Sequence, residues 1–110
     1  PAPVEGGPYD FRSPRLVGDT VFDHPFGGLP ADDSATVTLR DPRSGRAASL
    51  TADAKYPWLQ VFSGDTLGPD AARKSLAVEP MSCPPNAFRS GVDVVVLDPG
   101  ESHSAGFRIH

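Results

Sequence analysis

Thirteen prolines and eleven glycines in 110 residues interrupt this chain every few positions, and that punctuation limits the fold more than any other feature. Proline removes a backbone donor and clashes inside a helix, so no long helix fits between these breaks. What fits is a series of short extended runs. Ala35, Val37 and Leu39 alternate with Thr36, Thr38 and Arg40, the period-two pattern of a half-buried strand. Asp41-Pro42-Arg43-Ser44-Gly45 then reads as a hairpin connection, with Pro42 setting φ and Gly45 taking the left-handed position. The partner strand returns over residues 46–51.

Residues 58–63 are rich in aromatic and β-branched side chains and predict a further strand. Residues 76–81, 92–97 and 105–109 complete the set. Val92-Asp93-Val94-Val95-Val96-Leu97 is almost continuously apolar, which predicts a central strand covered on both faces. Residues 1–8 read as a loop, and residues 70–74 as one helical turn at most. Six or more short strands joined by turns define an all-β fold, an antiparallel β-sandwich. No internal repeat and no low-complexity segment interrupts this reading.

Leu76-Ala77-Val78-Glu79-Pro80-Met81-Ser82-Cys83-Pro84-Pro85-Asn86-Ala87-Phe88 carries the chemistry. Alternation sends Leu76, Val78 and Pro80 to one face and Ala77, Glu79 and Met81 to the other. A lone carboxylate among apolar neighbours is desolvated, which raises its pKa toward the range of a general base. A Glu on a solvated strand face fits the same pattern. Asp23 and His24 lie between Phe22 and Phe26, with Pro25 expected to break the strand. A carboxylate beside aromatic rings suits a pyranose, which has hydroxyls at its rim and an apolar face. Capping of local backbone N–H groups by Asp23 is the plainer alternative. Trp58 and Gln60 share a strand face, with Phe62 beyond; this is a sugar-facing pair or a piece of core.

Composition closes off several function classes. One modest core is all that 110 residues with 38% hydrophobic content can bury, so the chain forms one domain. A net charge of −4 leaves no basic patch for nucleic acid, and Arg40, Arg43 and Arg46 gather only at the predicted hairpin. No apolar run reaches the ~20 residues of a membrane span, and the N-terminus lacks the charged start and apolar stretch of a signal peptide. A single cysteine allows no internal disulfide and suits a cytoplasmic setting; Cys83 reads as a small buried filler. His24, His103 and His110 lack metal-ligand spacing, so no metal site is expected. Ser63, Ser82 and Ser90 have no nucleophile-elbow context.

The Glu79 segment, from Ala77 to Phe88, resembles the closing signature of the aldose 1-epimerases, the galactose mutarotase family. Pro8-Tyr9-Asp10-Phe11-Arg12, Phe22-Asp23-His24-Pro25-Phe26, Trp58-Leu59-Gln60-Val61-Phe62-Ser63-Gly64-Asp65 and Asp93-Val94-Val95-Val96-Leu97-Asp98-Pro99-Gly100-Glu101 agree with it in order. The resemblance covers nearly the whole chain, but only the C-terminal part of such an enzyme. It implies that residues 1–110 are a single incomplete domain, the C-terminal portion of a galactose mutarotase-like β-supersandwich with its sugar site in a groove across one sheet. The missing initiator Met agrees with a fragment or processed product.

The resemblance further implies interconversion of the α and β anomers of a free aldohexose such as glucose or galactose, without cofactor or metal. Glu79 would be the catalytic base and Asp23 a binder of sugar hydroxyls, with Gln60 a second substrate-binding candidate. The family's acid is a histidine in a His-x-Tyr-Phe segment, which this chain lacks; His24 is then structural or a rim contact. His103 and His110 read as surface residues. Asn86 and Phe88 would hold the loop framing Glu79, and Tyr9-Asp10-Phe11-Arg12 would be an Asp–Arg pair with two packed rings. The implied partners are the monosaccharide and the remaining N-terminal part of the same domain, with no nucleic acid and no membrane. The alternatives are a non-catalytic carbohydrate-binding β-sandwich module and a sugar-phosphate epimerase relative; a glycosidase pairing Asp23 with Glu79 is a third.

Overall fold

The computed structural model describes residues 2–30 and 32–110. Two three-stranded antiparallel sheets make up the fold. In chain order the elements are β1 (Asp23–Phe26), β2 (Ala35–Arg40), β3 (Ala47–Ala52), β4 (Trp58–Phe62), β5 (Ala77–Met81), α1 (Ala87–Ser90) and β6 (Phe107–Ile109). One sheet has the order β1-β4-β5 and the other β2-β3-β6. The all-β antiparallel class expected from the punctuation is therefore the one observed. The loop expected over residues 1–8 is seen from residue 2, as a run of turns; Pro1 lies outside the described residues.

The β2–β3 hairpin forms where the turn chemistry requires. Asp41 accepts the Arg43 N–H at 2.9 Å and the Ser44 hydroxyl at 2.9 Å, while Gly45 adopts φ 75°, a region closed to most side chains. Thr36 meets the Thr51 hydroxyl at 2.9 Å and Thr38 meets Ser49 at 2.8 Å across the strands. The opposite face pairs Ala35 with Ala52 and Val37 with Leu50, and Ala52 is fully buried. Arg40, Arg43 and Arg46 are exposed around this turn, as expected.

In the other sheet both edge strands contain a proline and the central strand β4 contains none. An edge strand has one side without a partner, where a missing N–H costs no ladder bond. For that reason Pro25 does not break β1, contrary to the expectation; it lies opposite Gln60 and the strand runs on to Phe26. Pro80 is likewise accommodated opposite Leu59. Tyr9 and Phe11 cover one face of this sheet. The Tyr9 ring centroid lies 5.6 Å from Phe22, 4.7 Å from His24 and 6.0 Å from Phe26, and Phe11 lies 5.2 Å from Phe22. The Asp10–Arg12 ion pair at 2.8 Å holds this segment, as the sequence suggested. Arg12, and then the Gly6 N–H, keep the Asp10 carboxyl well below the usual carboxylate range.

Three expectations need correction. Residues 92–97 are not a central strand but an irregular segment, with Val96 80% exposed. No strand pairs with them among the described residues, and an apolar run cannot become a sheet strand without a ladder partner. Residues 70–74 form turns rather than a helical turn, since Arg73 takes φ 57°, which ends any right-handed run. The helix that does form, α1, follows Pro84-Pro85 and closes at Gly91 with φ 75°, a left-handed C-cap. Cys83 is half-buried rather than buried.

The core is small: Phe22, Ala52, Leu59 and Ala87 are its buried apolar residues. The chain exposes 8099 Å², whereas a compact protein of 11.6 kDa exposes about 5,800 Å². Its radius of gyration is 15.6 Å, against about 13 Å for a compact domain of this length. Among the described residues, no helix is long and apolar enough to cross a membrane.

Asp53 fastens β6 by accepting the Gly106 N–H at 2.7 Å, and it also takes the Lys55 N–H at 2.8 Å. These two bonds, Gly106 first, hold its carboxyl below the ordinary value of 3.8. Stability from a depressed carboxyl is present above its unfolded value and lost as pH falls through the lower folded one. Amide exchange at Gly106, corrected for intrinsic rate, should therefore stay slow down to about pH 4 and quicken below it, and Asp53→Ala should remove the protection at every pH. Protection unchanged down to pH 2 would contradict this role.

Candidate active site

The β1-β4-β5 sheet brings the candidate residues together by register. Gln60 lies opposite Pro25 on one side and Glu79 on the other, and Asp23 lies opposite Phe62. Side chains alternate along each strand, so Asp23, Gln60 and Glu79 share one face of the sheet, together with Trp58 and Met81. Directly opposed residues have Cβ atoms ~5 Å apart, which puts Glu79 beside Gln60. On the other flank the Gln60 Nε2 donates to Asp23 Oδ1 at 3.0 Å. Gln60 therefore links the two carboxylates, holding one directly and standing next to the other.

The oxygen of that amide has no such partner. Gln60 Oε1 is shielded from solvent and has no hydrogen-bond partner among the described residues. Buried acceptors are nearly always satisfied, and this one is an exception. Glu79 itself is exposed, and the desolvation expected from its apolar sequence neighbours is not provided. Val78 and Pro80 turn to the far face of β5, and Ala77 and Met81, which share its own face, leave Glu79 open to solvent. Asn86 and Phe88 do not frame it either: Phe88 is 99% exposed on α1 and Asn86 makes no side-chain cap bond there.

His24 points to the opposite face from Glu79, packed against Tyr9 with its Nδ1 accepting the Asp23 N–H at 3.1 Å. That placement makes it structural. His103 is on the surface, and so is His110, whose Nε2 meets the Thr51 hydroxyl at 3.0 Å. No cluster of three or more His, Cys, Asp or Glu side chains suited to a metal ion occurs among the described residues. Asp23 and Glu79 stand on the two outer strands, whose lines are about 9.6 Å apart at two strand spacings. A retaining glycosidase holds its carboxyls ~5–5.5 Å apart, so this arrangement disfavours that chemistry.

Two features escaped the sequence reading. The Trp58 indole N–H donates to Asp93 Oδ2 at 2.8 Å, which ties the segment of residues 92–97 to the site-bearing face. Asp93 takes φ 55° to do so, a conformation that L-residues rarely adopt. Ser63, Asp65 and Arg73 form a separate network at the far end of β4. The Ser63 hydroxyl, 4% exposed, contacts Asp65, whose carboxyl is held low first by that hydroxyl and then by Arg73. Neither pairing has a sequence signature, because each joins side chains of different segments, 35 and 8 residues apart.

Comparison with known proteins places these observations. The chain belongs to the aldose 1-epimerase family, which it matches over residues 1–110. It is 40% identical over 101 residues to the uncharacterized protein YihR of Escherichia coli strain K12. That alignment takes in 92% of this chain and 30% of the relative, so the chain spans about a third of that protein's length. No solved structure matches the chain significantly.

Trp58 is the chain's single tryptophan and reports on this face directly. A Cβ built on Gly27 would come within 2.7 Å of the Trp58 ring, closer than packed carbons tolerate. Gly27→Ala should push the indole off its seat and away from Asp93, shifting the fluorescence emission to longer wavelength. An emission maximum identical to the parent's would show that the ring does not rest against Gly27.

Proposed function

We propose that this chain is the C-terminal part of an aldose 1-epimerase domain that interconverts the α and β anomers of a free aldohexose such as glucose or galactose. Membership of the family supports the reaction class. The observation that carries the site is the alignment of Asp23, Gln60 and Glu79 on one sheet face, with the Gln60 amide bonded to Asp23 and its strand paired to that of Glu79. The length of the relative and the excess exposed surface support the view that further strands complete the domain.

In this reading Glu79 takes the proton from the C1 hydroxyl. The electron pair released on that oxygen forms the aldehyde carbonyl as the bond from C1 to the ring oxygen breaks. The ring oxygen receives a proton from an acid supplied by the rest of the domain, since His24 faces the other way. Rotation about C1–C2 then lets the aldehyde reclose on its other face, with the proton transfers reversed. Asp23 holds sugar hydroxyls and fixes the ring against Glu79. Gln60 keeps Asp23 in place through its Nε2 and stands beside Glu79 as a second contact for the sugar. Proton transfer is the whole of the chemistry, and a cytoplasmic setting fits a single reduced cysteine.

The test is polarimetric equilibration of fresh α-glucose or α-galactose, with the complete protein, its Glu79→Gln variant and residues 1–110 alone. Gln preserves shape but accepts no proton, so the variant should lose about 100-fold or more in rate. Residues 1–110 alone should equilibrate the sugar no faster than buffer. A variant retaining more than about a tenth of the parent rate would remove Glu79 as base. An active 110-residue chain would show that the acid lies within it.

A further inference from the structure

The β1–β4 ladder does not end on backbone. At its last step Ser63 N–H donates to the Phe22 carbonyl at 2.8 Å, but the Phe22 N–H is received by the Ser63 hydroxyl at 2.9 Å. That hydroxyl is buried and contacts the Asp65 carboxylate. Asp65 in turn is held by Arg73 Nη1, 2.8 Å from Oδ2 and 3.0 Å from Oδ1. The same guanidinium reaches across to the approach to β1, donating to the Thr20 carbonyl at 3.1 Å and the Gly18 carbonyl at 2.8 Å. One side chain from the β4–β5 connection thus fixes the backbone entering β1, three residues before Asp23.

Arg73 does this from a left-handed backbone conformation, φ 57°. A non-glycine residue persists there only when its surroundings hold it. The holding contacts are the ones just named, made by a planar fork that one ammonium group cannot reproduce. Phe22, the residue that Ser63 grips, immediately precedes Asp23, and among the described residues the Gln60 amide is what orients the exposed Asp23 carboxylate. Backbone placement at Phe22 therefore decides where that carboxylate stands relative to Glu79.

We infer that Ser63, Asp65 and Arg73 form a clamp that positions Asp23 for sugar-hydroxyl recognition, with Arg73 its central positioning residue. This rests on the function proposed for Asp23 above. Arg73 acts through the strand and not on the sugar, so its loss affects binding and leaves proton transfer by Glu79 intact.

The experiment is steady-state mutarotation by the complete protein with Asp23→Ala, Arg73→Met, Arg73→Lys, Ser63→Ala and the Asp23→Ala/Arg73→Met pair. Asp23→Ala and Arg73→Met should each raise KM about tenfold, the scale of one lost charged hydrogen bond, with kcat falling by less than KM rises. Arg73→Lys should fall between parent and Arg73→Met, because it keeps the charge opposite Asp65 but not the reach to both carbonyls. The double variant should bind no worse than Asp23→Ala, since the clamp has nothing left to position. Ser63→Ala cuts the clamp at the Phe22 end with a minimal change of volume and should raise KM in the same way, which keeps the test open should Arg73→Met fail to fold. Additive effects in the double variant, or a KM unchanged in Arg73→Met and Ser63→Ala while Asp23→Ala raises it, would overturn the clamp alone. An unchanged KM in Asp23→Ala would overturn the assignment of Asp23 and the clamp with it.

Discussion

The hydrogen-bond ladder of β4 is the constraint on which the site depends. As the central strand it pairs with β1 on one side and β5 on the other, and it alone spans the gap between Asp23 and Glu79. Leu59 anchors it, 4% exposed, on the face that the Tyr9 and Phe11 rings approach. Because side chains alternate, burying Leu59 sends Trp58 and Gln60 to the other face. A slip of one residue in the register would turn Gln60 inward and separate the two carboxylates from their link. Register is thus a packing decision with a chemical consequence.

What the sequence made legible was whatever local geometry alone determines. Asp41 to Gly45 announced a hairpin, since its aspartate, proline and glycine each meet a separate demand of the turn. The shared face of Trp58 and Gln60 followed from period two, and Glu79 from its place among Ala77 and Met81. The illegible parts depend on partners distant along the chain. Pro25 reads as a breaker until β1 is known to be an edge strand. Residues 92–97 have the composition of a central strand, yet composition cannot supply the neighbours that a ladder needs. For the same reason the sequence left Glu79 open between a desolvated and a solvated face. The Arg73 clamp joins residues from three segments, and its members carry no shared motif.

The exposed apolar surface and the elongated shape are one fact seen twice. Two three-stranded sheets with a core of a few side chains bury too little to stand as a compact domain of this mass. Val92, Val95, Val96 and Leu97 lie in solvent while Asp93 is tethered to Trp58 on the site-bearing sheet. In the proposed reading the remainder of the domain covers this segment and the open front of β5 together. Glu79 would then acquire the low-dielectric surroundings that a base near neutral pH requires.

The most direct measurement is a crystal structure of the complete protein with an aldohexose bound. The Glu79 carboxylate should lie within hydrogen-bond distance of the C1 hydroxyl, with Asp23 on hydroxyls elsewhere on the ring and the Gln60 side chain between them. A sugar seated away from the β1-β4-β5 sheet, or one whose C1 hydroxyl is remote from Glu79, would contradict the assignment of this face as the site of catalysis.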